Sequence, residues 1–383
     1  MKKLAYITGS RAEYGIVKRL LIKLQQCNDI DLSVIATAMH LDKQYGFTVN
    51  NIIEDGIKVS HKIPLTLDSS NNEKVIDSMA ECLSLFGHFF PKNYYDAIMI
   101  LGDRYEMLSV AIAAAMHNIP IIHLHGGEKT LGNYDEFIRH SITKMAKLHL
   151  VSTEEYKKRV IQLGEKPDSV INIGSLGAEN SILLPLHSKE YIYNKIGYKK
   201  PYFVVLFHPE TLLQDDLNIQ VDELLKAINA LKNKYDFIFI GSNSDTGSDL
   251  IHKKISNYIN QYNYKYFNSL TSEEYLTLVK YSQGLIGNSS SGLIEIPSLK
   301  VPTINLGNRQ LGRVRGETVI DCPVCSEQIV KCIVASQEKT FLDRVKNSQN
   351  PYRKQNTLQL AYDSILEFIA SPTKTQLKDF WDL

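Results

Sequence analysis

Short apolar runs alternate with stretches of helical periodicity along almost the whole of the 383-residue chain. One of these runs, AIMIL at 97–101, is apolar at every position. A continuous apolar run of this length is typical of a strand that is covered on both faces, as in a parallel sheet. The alternation therefore predicts an α/β protein in which helices cover both faces of doubly wound parallel sheets.

Two domains are expected, because the rhythm restarts near residue 202 and a single core rarely grows beyond about 250–300 residues. We predict an N-terminal domain over 1–178 and a C-terminal domain over 179–365, with a mostly polar linker near 174–201. Strands are predicted at 3–8, 32–38, 97–101, 120–124, 148–151, 170–173, 202–207, 237–240, 264–267, 284–286 and 303–306. Helices are predicted at 16–26, 73–90, 107–117, 136–146, 154–163, 219–232, 250–259, 272–281, 291–299, 356–369 and 373–379. Ligands bind beyond the carboxyl ends of such strands, so residues that follow strands are the functional candidates.

Charge and composition exclude several classes of protein. Lys and Arg number 43 against 42 Asp and Glu, so no basic surface for nucleic acid or an anionic membrane is expected. No apolar run reaches the roughly 18 residues of a membrane helix, and the first run is too short for a signal peptide, which predicts a cytoplasmic protein. The cysteines, at 27, 82, 322, 325 and 332, are expected to be free thiols, including the isolated CxxC at 322–325.

Two charged segments follow predicted strands in the first half. GSRAEYG at 9–15 lacks the GxGxxG and Walker A spacings, but Arg11 and the N–H groups of the following helix can bind an anion. A tight turn with a solvated Arg11 explains the same segment equally well. Asp103 follows the AIMIL strand where a helix begins, so it is either a helix cap or a catalytic carboxylate.

The segment 123–140 is the densest in acid and base groups. It combines three imidazoles, three carboxylates and an arginine, at His123, His125, Glu128, Asp135, Glu136, Arg139 and His140. Alternation along the strand places His123 and His125 on the same side of the sheet. Because HxH without HExxH is a weak metal pattern, acid/base chemistry on a substrate is favoured over a metal site. A polar network behind the site is the competing interpretation.

Polar residues also follow the strands of the second half. His208 ends one strand and faces the predicted cleft, where it is either a phosphate ligand or a buried core histidine. GNSSSGLIE at 287–295 places three hydroxyls and two glycines at a helix start, which suits a diphosphate. Glu295 lies about one turn further on, where it can accept hydrogen bonds from a ribose, and Arg309 follows the next strand.

Together these segments resemble the hydrolysing UDP-N-acetylglucosamine 2-epimerases, and among them the bacterial enzymes that begin sialic-acid synthesis. The resemblance covers essentially the whole chain and rests on seven segments in order: TGSRAEYG (8–15), LGDRYE (101–106), HLHGGEKTLGNYDEFIRHSITK (123–144), FHPET (207–211), GSNSDTGSD (241–249), GNSSSGLIE (287–295) and INLGNRQLGRVRGE (304–317). It implies two Rossmann-like domains in the GT-B architecture, with a C-terminal helix at 366–383 that packs back on the N-terminal domain. We also expect a homodimer or homotetramer.

The reaction that the resemblance implies converts UDP-GlcNAc and water into N-acetylmannosamine and UDP. UDP leaves by anti elimination to 2-acetamidoglucal, which is then hydrated with inversion at C2. No cofactor is expected, since the implied route needs neither a nicotinamide nor a metal. Because C2–H is barely acidic, loss of the diphosphate must lead, which requires cations at the diphosphate and carboxylates near C1 and C2.

Matched position by position, the resemblance implies acid/base roles for Asp103 and Asp135. It implies nucleotide contacts for Arg11, Arg104, His208, Asn243, Ser289, Ser290, Glu295 and Arg309. At His125 related animal-type enzymes carry a catalytic Glu, and Glu128 follows three residues later. Both are placed in the catalytic set, and the group that removes the C2 proton stays open. Glu13 stands where those relatives have Asp and is placed with the substrate contacts.

Four alternatives use the same kind of site. The substrate can be another nucleotide sugar, such as a UDP-linked 2,4-diacetamido-2,4,6-trideoxyglucose or a GDP-linked sugar. A non-hydrolysing epimerase would return intact UDP-N-acetylmannosamine, which product analysis distinguishes from free sugar and UDP. The others are a GT-B glycosyltransferase, disfavoured by the acid/base groups of 123–140, and a UDP-sugar sensor without turnover.

Overall fold

In a computed structural model, the structure describes residues 1–197, 200–212, 216–242, 245–371 and 378–382. A first parallel sheet contains β1 Lys2–Thr8, β2 Ile30–Thr37, β3 Val59–Ile63, β4 Ala97–Leu101, β5 Ile121–Leu124, β6 Leu148–Val151 and β7 Val170–Asn172. A second contains β8 Tyr202–Leu206, β9 Asp236–Ile240, β10 Lys265–Phe267, β11 Leu285–Gly287, β12 Thr303–Leu306 and β13 Val319–Cys322. The strand orders are β3-β2-β1-β4-β5-β6-β7 and β10-β9-β8-β11-β12-β13. This confirms the predicted pair of doubly wound parallel sheets.

Helices cover both faces of each sheet. They are α1 Arg11–Gln25, α2 Val49–Glu54, α3 Asn72–Phe89, α4 Tyr105–Met116, α5 Asp135–Met145, α6 Glu154–Gln162, α7 Leu176–Leu183, α8 Lys189–Ile196, α9 Leu217–Leu231, α10 Ser248–Tyr262, α11 Ser272–Lys280, α12 Ser291–Ile294, α13 Ser326–Ala335, α14 Lys339–Asn347 and α15 Thr357–Ala370. None of these helices is long and apolar enough to cross a membrane.

The two faces of the first sheet explain why its central strands are continuously apolar. Leu4 and Tyr6 of β1 pack into one core with α1 and α15, whereas Ala5 and Ile7 pack into another with α3 and α4. Successive side chains of a strand point to opposite faces, so a strand between two helical layers needs apolar residues at every position.

The strand order creates a crevice in each sheet. It reverses between β1 and β4 in the first sheet and between β8 and β11 in the second. At such a switch point the connections leave in opposite directions and open a space beyond the carboxyl ends of the strands. The residues that follow β1 and β4 therefore lie close together in the first half, and those that follow β8 and β11 lie close together in the second half. In each case the two segments are far apart in the sequence.

The structure corrects several predicted elements. Helix α1 begins at Arg11 rather than residue 16, because Ser10 caps it. The predicted linker at 174–201 contains α7 and α8, and α7 buries Leu176 and Ala178 against the first sheet. The helix predicted at 291–299 is a four-residue α12 followed by a 3-10 turn at Ile296–Leu299, where Pro297 interrupts the α-helix.

Several further elements are not predicted from the sequence. Strand β3 is an edge strand whose sequence VSHKI is only partly buried, and β13 is likewise an edge strand. The helices α2, α13 and α14 were also not predicted. The helix predicted at 373–379 falls mainly on 372–377, outside the described residues.

Near the end of the chain, α15 returns to the first sheet. Its residues Ala361, Ile365 and Ile369 lie in the same buried cluster as Leu4 and Leu20. The domain limits at 178 and 365 stay predictions, and α7 straddles the first of them.

Candidate active site

The strand ends of both sheets face one cavity. All but one of the residues to which the resemblance assigns a catalytic, substrate or nucleotide role line it, namely Arg11, Glu13, Asp103, Arg104, His125, Glu128, Asp135, His208, Ser289, Ser290, Glu295 and Arg309. The exception, Asn243, lies outside the described residues. Of the other acid and base groups of 123–140, His123, Glu136, Arg139 and His140 are not among the lining residues that the structure describes. The structure thus brings together side chains from both halves, while their individual roles stay predictions.

Glu13 stabilises the loop between β1 and α1. Its Oε2 accepts hydrogen bonds from the backbone N–H groups of Gly9 and Ser10, both at 3.0 Å, and the Ser10 hydroxyl caps the helix in return. Burial raises the pKa of Glu13 to about 7, although the Arg104 guanidinium opposes this shift. Glu13 therefore holds the cavity wall on which Arg11 lies.

Asp103 is not a helix cap, contrary to the capping interpretation of the sequence. Helix α4 begins at Tyr105, and the residue at its cap position is Arg104. The Asp103 carboxylate instead accepts a hydrogen bond from the fully buried Arg139 guanidinium and lies 4.0 Å from the guanidinium of Arg313. Asp103 is thus held as a carboxylate acceptor between two arginines at the edge of the cavity.

His123 and His125 do not share one side of the sheet, so that prediction was wrong. Strand β5 ends at Leu124, and His125 adopts a left-handed backbone with φ of +65°. His123 is buried behind the sheet edge, where its ring bonds the Gly102 carbonyl at 2.7 Å and the Thr143 hydroxyl at 3.1 Å. Only His125 lines the cavity.

His125, Glu128 and Arg313 form a chain of contacts. His125 Nδ1 lies 3.1 Å from Glu128 Oε1, and Arg313 Nη2 lies 2.6 Å from Glu128 Oε2. Burial favours the neutral acid, but Arg313 and the bond from His125 outweigh it and lower the pKa of Glu128 to about 2. Arg313 comes from the second half, so this chain crosses the cleft.

Asp135 faces a second arginine from across the cleft. Its Oδ2 lies 3.8 Å from the Arg309 guanidinium and accepts a hydrogen bond from the Asn133 amide at 3.4 Å. Burial raises the pKa of Asp135 despite the opposing charge of Arg309, and the nearby Asp245 carboxylate adds to the rise. Asp135 is therefore suited to carry a proton nearer neutral pH than an ordinary aspartate.

Asp245 links the two halves. Its carboxylate lies 3.5 Å from the Arg104 guanidinium and 3.5 Å from that of Arg309. Arg104 also donates to Glu106 Oε1 at 2.5 Å, and its pKa is raised because these carboxylates outweigh the effect of burial. Asp245 thus places a negative charge between two cavity arginines.

Asn288 organises the wall of the second half. Its side chain accepts from the His208 backbone N–H at 2.7 Å and donates to the His208 carbonyl at 2.8 Å, which joins the loops after β8 and β11. Its carbonyl accepts from Arg309 at 3.2 Å and from Gln310 at 2.8 Å. Burial, with Arg309 and Arg104 nearby, lowers the pKa of His208 well below its usual range, so its ring is neutral.

The segment after β11 places hydroxyls at the cavity. Ser290 is the cap residue of α12 but its side chain makes no capping bond, whereas Ser289 and Ser291 are 3.1 Å apart and Ser291 also contacts Tyr275 at 2.5 Å. Glu295 follows α12, and burial raises its pKa to about 7 although His125 and Arg11 oppose the shift.

A loop of the first half is inserted between two loops of the second. The backbone N–H of Leu131 donates to the Leu311 carbonyl at 3.2 Å, and the Thr211 N–H donates to the Asn133 side chain at 3.0 Å. A Cβ at Gly132 would lie 2.8 Å from the Asn308 carbonyl oxygen. The two halves are therefore joined at this end of the cleft by hydrogen bonds and by close packing of their backbones.

Sequence reasoning missed Arg313 and Asp245 as cavity residues. Both lie in segments that carry the resemblance, but the resemblance implies no role for either residue. The only signal for Arg313 was its position in a basic loop after a strand, four residues beyond Arg309. Arg139, by contrast, was noted in the acid/base segment and proves to be the buried partner of Asp103.

Sequence and structure comparisons place the chain among known proteins. A family described as UDP-N-acetylglucosamine 2-epimerase matches residues 22–366. The polysialic acid biosynthesis protein P7 of Escherichia coli is 57% identical, over 100% of this chain and 98% of that protein. The GDP/UDP-N,N'-diacetylbacillosamine 2-epimerase (hydrolyzing) of Campylobacter jejuni is 39% identical, over 84% of this chain and 85% of that protein. The structure of UDP-GlcNAc 2-epimerase from Neisseria meningitidis bound to UDP-GlcNAc matches with a TM-score of 0.80 at 17% identity, over 96% of this chain and 100% of that one, which shows a common GT-B-like fold.

Proposed function

Because the chain belongs to the UDP-N-acetylglucosamine 2-epimerase family, we propose that it converts UDP-GlcNAc and water into N-acetylmannosamine and UDP. The observation that carries this proposal is the 57% identity, over the whole chain, to a protein of polysialic acid biosynthesis. N-acetylmannosamine would be the starting material for sialic acid. The hydrolytic outcome is supported by the 39% identical relative, which is named as a hydrolysing 2-epimerase.

The two walls of the cavity suit the two halves of this reaction. Arg309 and Ser290 line the wall of the second sheet, where positive charge and hydroxyl donors stabilise a departing diphosphate. Asp103, His125 and Asp135 line the wall of the first sheet, where they can exchange protons near C1 and C2 of the sugar. Loss of UDP would form the C1=C2 bond of 2-acetamidoglucal, and addition of water would give the free sugar.

In deuterated water, the N-acetylmannosamine formed should carry deuterium at C2 while UDP accumulates. The reason is that elimination passes the C2 proton to a side chain that exchanges with solvent. Proton NMR of the products from UDP-GlcNAc measures both. Incubation of N-acetylmannosamine with enzyme and UDP controls for exchange after release. Retention of the original C2 hydrogen would reject elimination, and intact UDP-N-acetylmannosamine would reject hydrolysis.

Arg309→Ala and Ser290→Ala should each weaken UDP binding about ten- to a hundredfold, because losing a hydrogen bond to a charged group costs about 1.5–3 kcal/mol. Both residues line the cavity, and Arg309 is anchored on Asn288. Isothermal calorimetry with UDP measures the change. Arg344→Ala is the matched control, since Arg344 is exposed on helix α14, where it lies over the Phe341 ring. Wild-type UDP affinity in both cavity variants would remove them from the nucleotide site.

One observation favours a second substrate. The Campylobacter relative, at 39% identity, is named for diacetylbacillosamine linked to GDP or UDP rather than for GlcNAc. These sugars differ from GlcNAc at C4 and C6, so the part of the cavity around these two substituents determines which nucleotide sugar is the substrate. Parallel measurements of kcat/KM with UDP-GlcNAc and UDP-diacetylbacillosamine compare the two, and a higher value for the second would replace UDP-GlcNAc as the substrate.

A cytoplasmic location and an assembly of two or four copies are further parts of this proposal. Fractionation of the producing cell tests the first, and light scattering of the purified protein tests the second.

A further inference from the structure

One imidazole in the cavity is fixed in orientation but leaves a nitrogen for a ligand. His125 is buried at the cavity wall, and its Nδ1 lies 3.1 Å from Glu128 Oε1. Its Nε2 is buried and accepts or donates no hydrogen bond within the part of the chain that the structure describes. A buried polar atom of this kind needs a partner, and here the cavity is where a substrate atom would supply it.

We propose that His125 Nε2 removes the C2 proton in the elimination step, and that Glu128, fixed by Arg313, is a positioning residue for this imidazole. The inference rests on the proposed function and names the base in it.

The partners of Glu128 determine which ring nitrogen of His125 carries a proton. The carboxylate is acceptor-only, so the contact with Nδ1 requires a hydrogen on Nδ1 and leaves the lone pair of a neutral ring on Nε2. Glu128 Oε1 also accepts from the Ser152 hydroxyl at 3.0 Å, and Oε2 meets Arg313 at 2.6 Å. Both oxygens are therefore engaged, and the carboxylate has a fixed direction.

The same contacts make Glu128 a poor base for the substrate. Arg313 and His125 outweigh burial and hold the pKa of Glu128 at about 2. A carboxylate of such low basicity gains little by taking a proton. Glu128 thus resembles the carboxylate that orients a histidine base, and it stabilises the imidazolium that forms.

The backbone also holds His125 in place. Its left-handed φ of +65° is unusual for a residue other than glycine, and its N–H donates to the Leu150 carbonyl at 2.9 Å. Next to it, Gly127 packs so closely that a Cβ would lie 2.6 Å from the Tyr156 carbonyl oxygen. Strained backbone that persists against such packing is concentrated at functional sites.

The step balances as follows. His125 Nε2 takes H⁺ from C2, the C2–H electron pair becomes the C1=C2 bond, and the C1–O bond breaks with its electrons leaving on UDP. His125 then releases its proton to solvent. In the second step, water adds OH to C1, and another acid delivers H⁺ to C2 from the opposite face, which inverts C2. That acid regains its proton from the water.

His125→Gln should therefore lower the rate of UDP release from UDP-GlcNAc by about 10²–10⁴. It should still hydrate supplied 2-acetamidoglucal in the presence of UDP, because hydration uses another acid. Glu128→Gln should lower UDP release by up to about 10⁴-fold, the loss seen when the carboxylate that orients a histidine base becomes an amide. In the double variant the Glu128 change should add almost nothing, because Glu128 acts through His125.

The second buried His–Glu pair of the first half provides the control. His149 and Glu165 are 2.9 Å apart and do not line the cavity, so Glu165→Gln should leave UDP release unchanged. If Glu128→Gln lowers the melting temperature strongly, Glu128→Asp replaces it in the comparison of single and double variants, because aspartate keeps the charge opposite Arg313. His125→Gln and the glycal assay then still decide the base.

Two outcomes would overturn the inference. If His125→Gln releases UDP at the wild-type rate, His125 is not the base. If the losses of rate in the two single variants multiply in the double variant, Glu128 acts independently of His125. Failure of the proposed function looks different, since the wild-type protein would then form no N-acetylmannosamine from either UDP-GlcNAc or the glycal.

Discussion

Asp135→Asn should lower turnover of UDP-GlcNAc by about 10²–10⁴ and leave the fold intact. Burial and the nearby Asp245 carboxylate raise the pKa of Asp135, so its neutral acid is more populated than that of an ordinary aspartate. A carboxamide has nearly the same shape as the neutral acid and is likewise uncharged, but it cannot transfer a proton. If Asp135 serves hydration more than elimination, the variant should release 2-acetamidoglucal. Separate assays of UDP, N-acetylmannosamine and glycal measure this.

Asp103→Asn should also reduce turnover, but it should cost stability as well. The Asp103 carboxylate is an ion-pair partner of Arg139, which is fully buried. Removing one partner of a buried pair costs about 3–5 kcal/mol, and we expect the lower end because the Asp103 side chain is 19% exposed.

A matched control and a contrary result complete this pair. Asp168→Asn changes an exposed aspartate of the same half and should affect neither rate nor stability. Wild-type rates in Asp135→Asn or Asp103→Asn would reject the catalytic role of that residue. Equal stability of the two variants in urea unfolding would contradict the stabilising role inferred for the ion pair between Asp103 and Arg139.

Gly287→Ala should destabilise the protein by more than about 3 kcal/mol, among the largest effects of a single added methyl group. Gly287 has φ of +146°, and a Cβ there would lie 1.8 Å from the Leu206 carbonyl oxygen. That oxygen belongs to the backbone of the central strand β8, so it cannot move aside. Because Gly287 leads into the Ser289 and Ser290 segment, UDP binding should be lost with the fold.

Gly56→Ala is a control that separates the cost of a left-handed backbone from the cost of steric overlap by the added methyl group. Gly56 also has positive φ, at +77°, but no atom of the described residues would lie within 4 Å of a Cβ at this position. The free energy of unfolding of the alanine variant should fall only by the roughly 1 kcal/mol that a left-handed backbone costs an alanine. Urea unfolding of both variants measures the difference. Similar midpoints would contradict the close approach of the Gly287 backbone to Leu206.

The fold could be predicted to a large extent because its signals are local. The AIMIL run at Ala97–Leu101 and the strand Leu148–Val151 appear at the residues predicted. They are buried on both faces, which leaves a continuous apolar run in the sequence. Edge strand β3, with the sequence VSHKI, is only partly buried and carries no such run. The helix start at Arg11 depended on reciprocal hydrogen bonds between Ser10 and Glu13 within a segment interpreted as a turn.

The sequence by itself determined most of the residues that meet at the cleft, because parallel strands bring their carboxyl ends to one edge and the polar segments follow those ends. Only the tertiary structure decided how these residues pair. It placed Arg313 on Glu128, Arg139 on Asp103 and Asp245 between Arg104 and Arg309. The physical reason is that the contacts of Arg313 with Glu128 and of Asp245 with Arg104 depend on closure of the two halves, and that the direction of His125 depends on its left-handed backbone. Neither leaves a periodic pattern in the sequence, yet both set the charge and direction of the catalytic candidates.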